Sequence, residues 1–175
     1  MFSAVNIDTK KHVLSNIPLN LPSERTHSAT LLVLVPETMP AYATTQMAYS
    51  TQAYQIAYFS KNEWAETPSL MIQPLVVQTL RNTHYFSEVV SPPDFGHHTF
   101  ALRIEILELK QDFTSEPAMH IYLSREATNQ VVATKELSVR ERMPEKNPYA
   151  GVVAANEAMS NLLREIAKFV VEKAD

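Results

Sequence analysis

Residues 30–36 read Thr-Leu-Leu-Val-Leu-Val-Pro, and Leu31 to Val35 is the longest uninterrupted apolar run in the chain. A run of this length, rich in branched side chains and closed by Pro36, predicts a strand covered on both faces. Downstream, the Thr/Tyr/Ala-rich stretch from Tyr42 to Phe59 divides into two short strands, about 46–50 and 53–59. A tight turn at Ser50-Thr51-Gln52 would join them, with Tyr54, Ile56 and Tyr58 on one face and Gln55, Ala57 and Phe59 on the other. Thr67-Pro68 has the form of a helix start, Thr67 as N-cap and Pro68 at the first helical position. That helix runs to about Thr83 with Ile72, Leu75, Val76 and Leu80 as its apolar stripe, and Pro74 predicts a kink or a late start. Phe86 to Val90 is a further strand, ended by Pro92-Pro93.

From Thr99 the period changes. Phe100, Leu102, Ile104 and Ile106 alternate with Ala101, Arg103 and Glu105, as in a half-buried strand. Met119, Ile121 and Leu123 mark the next strand, and Val131, Ala133, Leu137 and Val139 a third, with Lys135 interrupting its face. The turn formers between Arg125 and Gln130 join the last two as an antiparallel hairpin. Asn147-Pro148 opens the final helix, whose stripe is Val152, Ala155, Met159, Leu162, Leu163, Ile166, Phe169 and Val170. Upstream, residues 1–28 are polar, contain Pro18 and Pro22, and read as an extended arm with a short strand near Val13-Leu14. Residues 29–175 then form one α/β domain of α+β character: a mixed, largely antiparallel sheet of about 5–6 strands packed with two main helices.

Composition narrows the chemistry. With 15 basic and 19 acidic residues the chain carries −4 at pH 7, which argues against a mainly electrostatic nucleic-acid binder. Its two glycines, Gly96 and Gly151, cannot write a dinucleotide fingerprint, a phosphate loop or a nucleophile elbow. The absence of cysteine removes thiolate metal sites, disulfides and thiol catalysis. Of the six histidines, His97 and His98 are adjacent and read as polar loop residues, and none forms a helical pair, so neither a metal nor a cofactor is expected. Glu105 and Glu108 fall on opposite faces of their strand and do not make a carboxylate pair. The start of the chain has no basic segment followed by an apolar leader, which leaves a cytosolic protein or an exported one whose targeting segment is absent.

One cluster stands out. Tyr42, Tyr49, Tyr54, Tyr58, Phe59 and Trp64 fall within 23 positions with little charge among them. They serve either as sheet packing or as an amphipathic contact surface with one end kept wet.

The order Leu31-Leu32-Val33-Leu34-Val35-Pro36, Met47-Ala48-Tyr49, then Ile56 through Trp64 to Pro68, carries a family resemblance. The helix to Leu80, Phe86-Ser87-Glu88-Val89-Val90, Phe100 to Ile106, and the C-terminal Ala158-Met159-Ser160-Asn161-Leu162-Leu163-Arg164-Glu165-Ile166 complete it. From about residue 29 onward the chain resembles the ABC-type transport auxiliary lipoprotein family, of the paraquat-inducible protein C type. The resemblance implies a fold like the N-terminal domain of TolB, related to anticodon-binding domains. It implies a non-catalytic periplasmic lipoprotein, lipid-anchored to the outer membrane of a Gram-negative envelope. Such a protein assists an MCE-domain protein and an ABC transporter in moving lipid or another hydrophobic solute, and can itself be a homo-oligomer. Family members carry a signal peptide and a lipidated cysteine, so this sequence is expected to follow a removed anchor. The arm would then span on the order of 90 Å when extended, at ~3.3 Å per residue.

The expected partner interface is Tyr49, Tyr54, Tyr58 and Trp64, with no catalytic residues. Two other classes remain open from the residues alone: a cytosolic hydrolase with a dispersed Ser/His/Asp site, and a cytosolic RNA-binding module. A cleft joining a serine to a histidine would favour the first, and salt-sensitive affinity the second.

Overall fold

The computed structural model describes residues 8–22, 25–94, 96–112, 118–125, 130–139, 141–143 and 145–175. The apolar run becomes part of β2 (His27–Val33), in which Leu31, Leu32 and Val33 are buried on both faces of the strand. β2 is hydrogen-bonded on both edges, to β6 (Phe86–Val90) and β7 (Phe100–Glu108), and both neighbours run parallel to it. The strand stops at Val33 and not at Val35, although Leu34 N–H still donates to the Leu102 carbonyl at 3.0 Å.

β7 shows the alternation its sequence predicts, with Phe100, Leu102, Ile104 and Ile106 buried and Arg103 exposed. Its other edge pairs antiparallel with β9 (Ala118–Arg125), which pairs antiparallel with β10 (Gln130–Ser138). The short β3 (Glu37–Thr38) also joins β7 in parallel, giving a six-stranded sheet of order β10-β9-β7-β2-β6 with β3 off this path. The long ladders of the sheet are the antiparallel ones, as expected for the meander and its hairpin. In β10 a register shift between Val131 and Ala133 breaks the alternation, so Val131 is exposed while Leu137 is buried.

The remaining strands make a second sheet, where the sequence suggested one. Its order is β1 (Lys10–His12), β5 (Ala57–Trp64), β4 (Gln46–Ser50), β8 (Lys110–Asp112). β1 and β8 are three residues each, too short to show a period.

α1 (Pro68–Asn82) starts after Thr67, which has extended backbone but no side-chain cap bond, and it continues through Pro74. It buries Met71, Ile72, Val76, Val77 and Leu80 and packs on the β6 and β2 side. α2 (Pro148–Ala174) begins at Asn147, whose side chain accepts from Ala150 N–H at 2.8 Å, an N-cap typically worth ~1 kcal/mol. It lies beside α1 and packs on β10, β9 and β8, burying every expected stripe residue except the half-buried Ala155.

The stretch expected as a free arm is fastened along its described part. Leu14 is buried, and Ile17 and Leu21 pack against the core. The Asn156 carboxamide on α2 accepts from the N–H groups of Ser15 at 2.8 Å and Asn16 at 3.2 Å, and donates to the Val13 carbonyl at 3.0 Å. Arg164 donates to the Leu19 carbonyl at 3.3 Å. A strap held this way cannot also serve as a fully extended spacer: burial of Leu14 and the main-chain bonds oppose its release.

α2 also meets β8 closely at Gly151. A Cβ at that position would fall on the Gln111 carboxamide, which is buried and donates to the Pro148 carbonyl at 3.0 Å. Gly151→Ala is therefore expected to expel Gln111, and in a Gln111→Ala background the same methyl is tolerated and gains roughly 1 kcal/mol of helix propensity. The readout is a double-mutant cycle on thermal unfolding, with a coupling of about 1–2 kcal/mol. Asn156→Ala removes the side-chain partner of three main-chain groups of the strap. It should lower stability by about 1–2 kcal/mol and make cleavage within residues 8–22 the earliest event in limited proteolysis.

Candidate functional site

The hairpin of β4 and β5 differs from its expected form. β5 starts at Ala57, paired with Tyr49, so the connection covers residues 51–56 instead of three. No Asn-Gly or Gly pair is present to make a two-residue turn. The loop is closed by the Ser50 hydroxyl, which donates to the Gln55 carbonyl at 2.6 Å. Tyr54 sits at its apex with φ 67°, in the left-handed region that bulky residues avoid. Neither glycine has positive φ, and among the described residues the positions that do carry Asn20, Tyr54 and His84.

The four expected interface residues separate into different roles. Tyr54 is fully exposed, at 107% of its reference area. Tyr49 is half-buried and stacks on Phe59, ring centres 4.4 Å apart. Tyr49 and Tyr54 together line a hollow of about 400 Å³ with Ser50, Gln55, Ile56 and Ala57. Tyr58 is half-buried and its hydroxyl donates to the Ala41 carbonyl at 2.7 Å, fixing the neighbouring 3₁₀ turn Pro40–Tyr42. Trp64 is 4% exposed and belongs to the core. Of the four, only Tyr54 stands fully exposed on the hairpin loop, and Trp64 lies in the core at the far end of β5.

The same end of the molecule contains α2's first turns. Ser50 pairs in register with Asp112, and the adjacent Gln111 donates to Pro148 at 3.0 Å. Tyr149, 68% exposed, and Val153, 43% exposed, stand one helical turn apart on that stretch of α2. Sequence reasoning passed over both. The signal was there: residues 148–156 carry no charge, so this face of the helix lacks the polar cover of its later turns.

A second hollow, about 540 Å³, runs along β6, lined by Ser87, Ser91, His84, Asp94, Arg81 and neighbouring residues. The Ser87 hydroxyl is engaged by the Ser28 and Ala29 carbonyls at 3.1 and 3.2 Å, and Arg81 by the Val89 carbonyl at 2.9 Å. Ser87 and Arg81 are thus each hydrogen-bonded to the main chain. His97 and His98 lie in the loop before β7. Among the described residues no three His, Asp or Glu side chains gather as metal ligands, and no helix is long and apolar enough to cross a membrane.

The fold is a two-helix α/β domain with a strapped N-terminal segment and an aromatic hairpin end. The chain belongs to the ABC-type transport auxiliary lipoprotein component family, which matches residues 13–167. In fold it is similar to a protein of Xanthomonas campestris, at 15% identity and a TM-score of 0.81 over 95% of each chain. An uncharacterized protein is similar at 13% identity and a TM-score of 0.74, over 93% of this chain and 99% of that one. A neuraminyllactose-binding hemagglutinin homologue from Helicobacter pylori shares 14% identity and a TM-score of 0.50, over 91% and 98% of the two chains. At these identities the likeness is one of fold. No match was found among curated proteins.

Two substitutions separate the roles at the hairpin. Tyr54→Gly relieves a left-handed backbone and exposes nothing, so stability should rise by up to about 1 kcal/mol, or ~2–4 °C in Tm. Trp64→Ala empties a core site and should cost ~3–5 kcal/mol, seen by denaturant unfolding.

Proposed function

We propose that this protein is a non-catalytic accessory subunit of an MCE-type, ABC-driven system that moves lipid or another hydrophobic solute across a Gram-negative envelope. The observation that carries the reading is the family match over residues 13–167, which names a transport auxiliary lipoprotein component. The site chemistry is in keeping with it. The exposed groups at the hairpin end are uncharged, Tyr54 and Ile56 among Thr51, Gln52 and Gln55, suited to surface complementarity, while Ser87 and Arg81 beside β6 are committed to the main chain. In this reading the protein is periplasmic, held to the outer membrane by lipid on a segment preceding the residues of this chain. It binds an MCE-domain protein and the transporter subunits, forms a homo-oligomer, and has no cofactor. Tyr49, Tyr54 and Tyr58 mark its contact surface, while Trp64 is a core residue of the same strand pair.

Fractionation of native cells tests the placement. The protein should sediment with outer membrane, dissolve only with detergent, and co-purify with MCE-domain and ABC subunits. Recovery in the cytosol without them would sink the reading. Mass spectrometry of the purified protein is expected to show a lipid-free domain if it acts by docking alone, and bound lipid if it carries cargo.

A further inference from the structure

We infer that the exposed arc of α1, Leu70, Pro74, Gln78 and Arg81, is the surface on which a second copy of this chain docks. The partner's α1 would run antiparallel across a two-fold axis near Pro74. The inference rests on the homo-oligomer of the reading above and names the surface that forms it.

The missing charge on α1 supplies the first argument. Residues 67–80 contain no Asp, Glu, Lys, Arg or His. The exposed positions of the helix are Leu70, Pro74, Gln78 and Arg81, whose spacing of four, four and three gathers them on one face. Leu70 alone is 52% exposed. α2 treats solvent differently, setting Glu157, Arg164, Lys168 and Glu172 on its exposed side. A helix that meets only water is expected to carry such a polar face. α1 instead offers a leucine and a proline.

The two ends of the arc indicate what covers it. Glu66, exposed, stands just before the helix, and Arg81, also exposed, lies in its last turn. Arg81 gives one N–H to the Val89 carbonyl at 2.9 Å, and a guanidinium has five to give. Pro74 lies midway between Glu66 and Arg81 in the sequence. When two copies of α1 cross antiparallel at Pro74, Glu66 therefore comes level with the partner's Arg81, and the pair is made twice. Opposite charges meet at both ends of the contact, and no like charges are set against each other between them.

The middle of the arc has the same symmetry. Pro74 has no N–H, so the Leu70 carbonyl lacks the donor that another residue at this position would supply. Gln78 stands as far beyond Pro74 as Leu70 stands before it. Its carboxamide gives one N–H to Asn82 Oδ1 at 2.8 Å and has a second. The crossing that pairs the charges also brings Gln78 toward the partner's Leu70, whose carbonyl can accept that second N–H. A lipid surface has no counterpart for these matched groups.

A contact of one helix arc is small beside the roughly 800 Å² per partner of a stable interface, so the pairing is weak in free solution and is read by trapping. The chain has no cysteine, so a single introduced thiol reports only its own surroundings. Pro74→Cys in the full chain puts a thiol nearest the axis and leaves Glu66, Gln78 and Arg81 in place. Under mild oxidation it should form a disulfide-linked dimer roughly tenfold faster than Val131→Cys, because the docked pair raises the local thiol concentration. Val131 is an equally exposed site, 52%, on β10 at the opposite end of the six-stranded sheet from β6. In the Pro74→Cys background, Glu66→Arg alone or Arg81→Glu alone sets like charges together and should slow linkage by about threefold or more. The two combined should restore it, which a loss of folding would not do. Equal linkage of the two thiols overturns the inference, and so does a charge exchange that fails to restore the rate. A wild-type oligomer seen by sedimentation would then use another surface, and the homo-oligomer of the reading above would stand. A chain that neither links nor sediments as an oligomer at any concentration removes both. The fractionation result is untouched in every case.

Discussion

From Leu31 to Val33 strand β2 has no exposed face, and the rest of the architecture follows from that. Leu31 and Val33 face one way and Leu32 the other, all buried, so the strand's main chain cannot turn to water on either edge. Two neighbours must take up its N–H and C=O groups, and both β6 and β7 do so in parallel. Parallel neighbours cannot be joined by tight hairpins, so the chain must leave the sheet and return. The long excursion between β2 and β6 includes β4, β5 and α1, and it builds the second sheet with its aromatic end. The surface assigned to function thus lies on the detour forced by burying one strand.

Strap and helix then make the end a defined object. Asn156 is at once a helix residue, donating to the Val152 carbonyl, and the clasp for Val13, Ser15 and Asn16. Gly151 lets α2 approach β8 so closely that the Gln111 carboxamide fills the place of a side chain. Through these two contacts, α2's first turns, the strap and the hairpin loop take a common orientation. That shared geometry fixes which groups of this end stand together.

Long periodic elements were legible beforehand. The alternation of Phe100 to Ile106, the stripe from Val152 to Val170 and the Phe86–Val90 strand appear where their side chains require. Short strands were not: β1, β3 and β8 are two or three residues long and exist because a neighbour offers its edge. The hairpin is the instructive intermediate. Its residues were recognisable, but its loop was drawn too short, because the pairing shift between Gln46 and Ala48 and the Ser50–Gln55 bond depend on the partner strand and the closing side chain.

Sequence by itself determined the α/β class, the two helices with their buried stripes, the family, and the presence of an uncharged aromatic segment, because each is a matter of residue type and local period. Only tertiary structure decided which aromatics are exposed. Tyr54 and Trp64 are ten residues apart and alike in character, yet one is fully solvated and the other 4% exposed. The difference comes from position: Tyr54 stands on the loop outside the pairing, and Trp64 closes a paired strand against the core. Tertiary structure also brought the start of α2 against the strand that pairs with β4, through one carboxamide, across a separation in sequence that no local pattern could bridge.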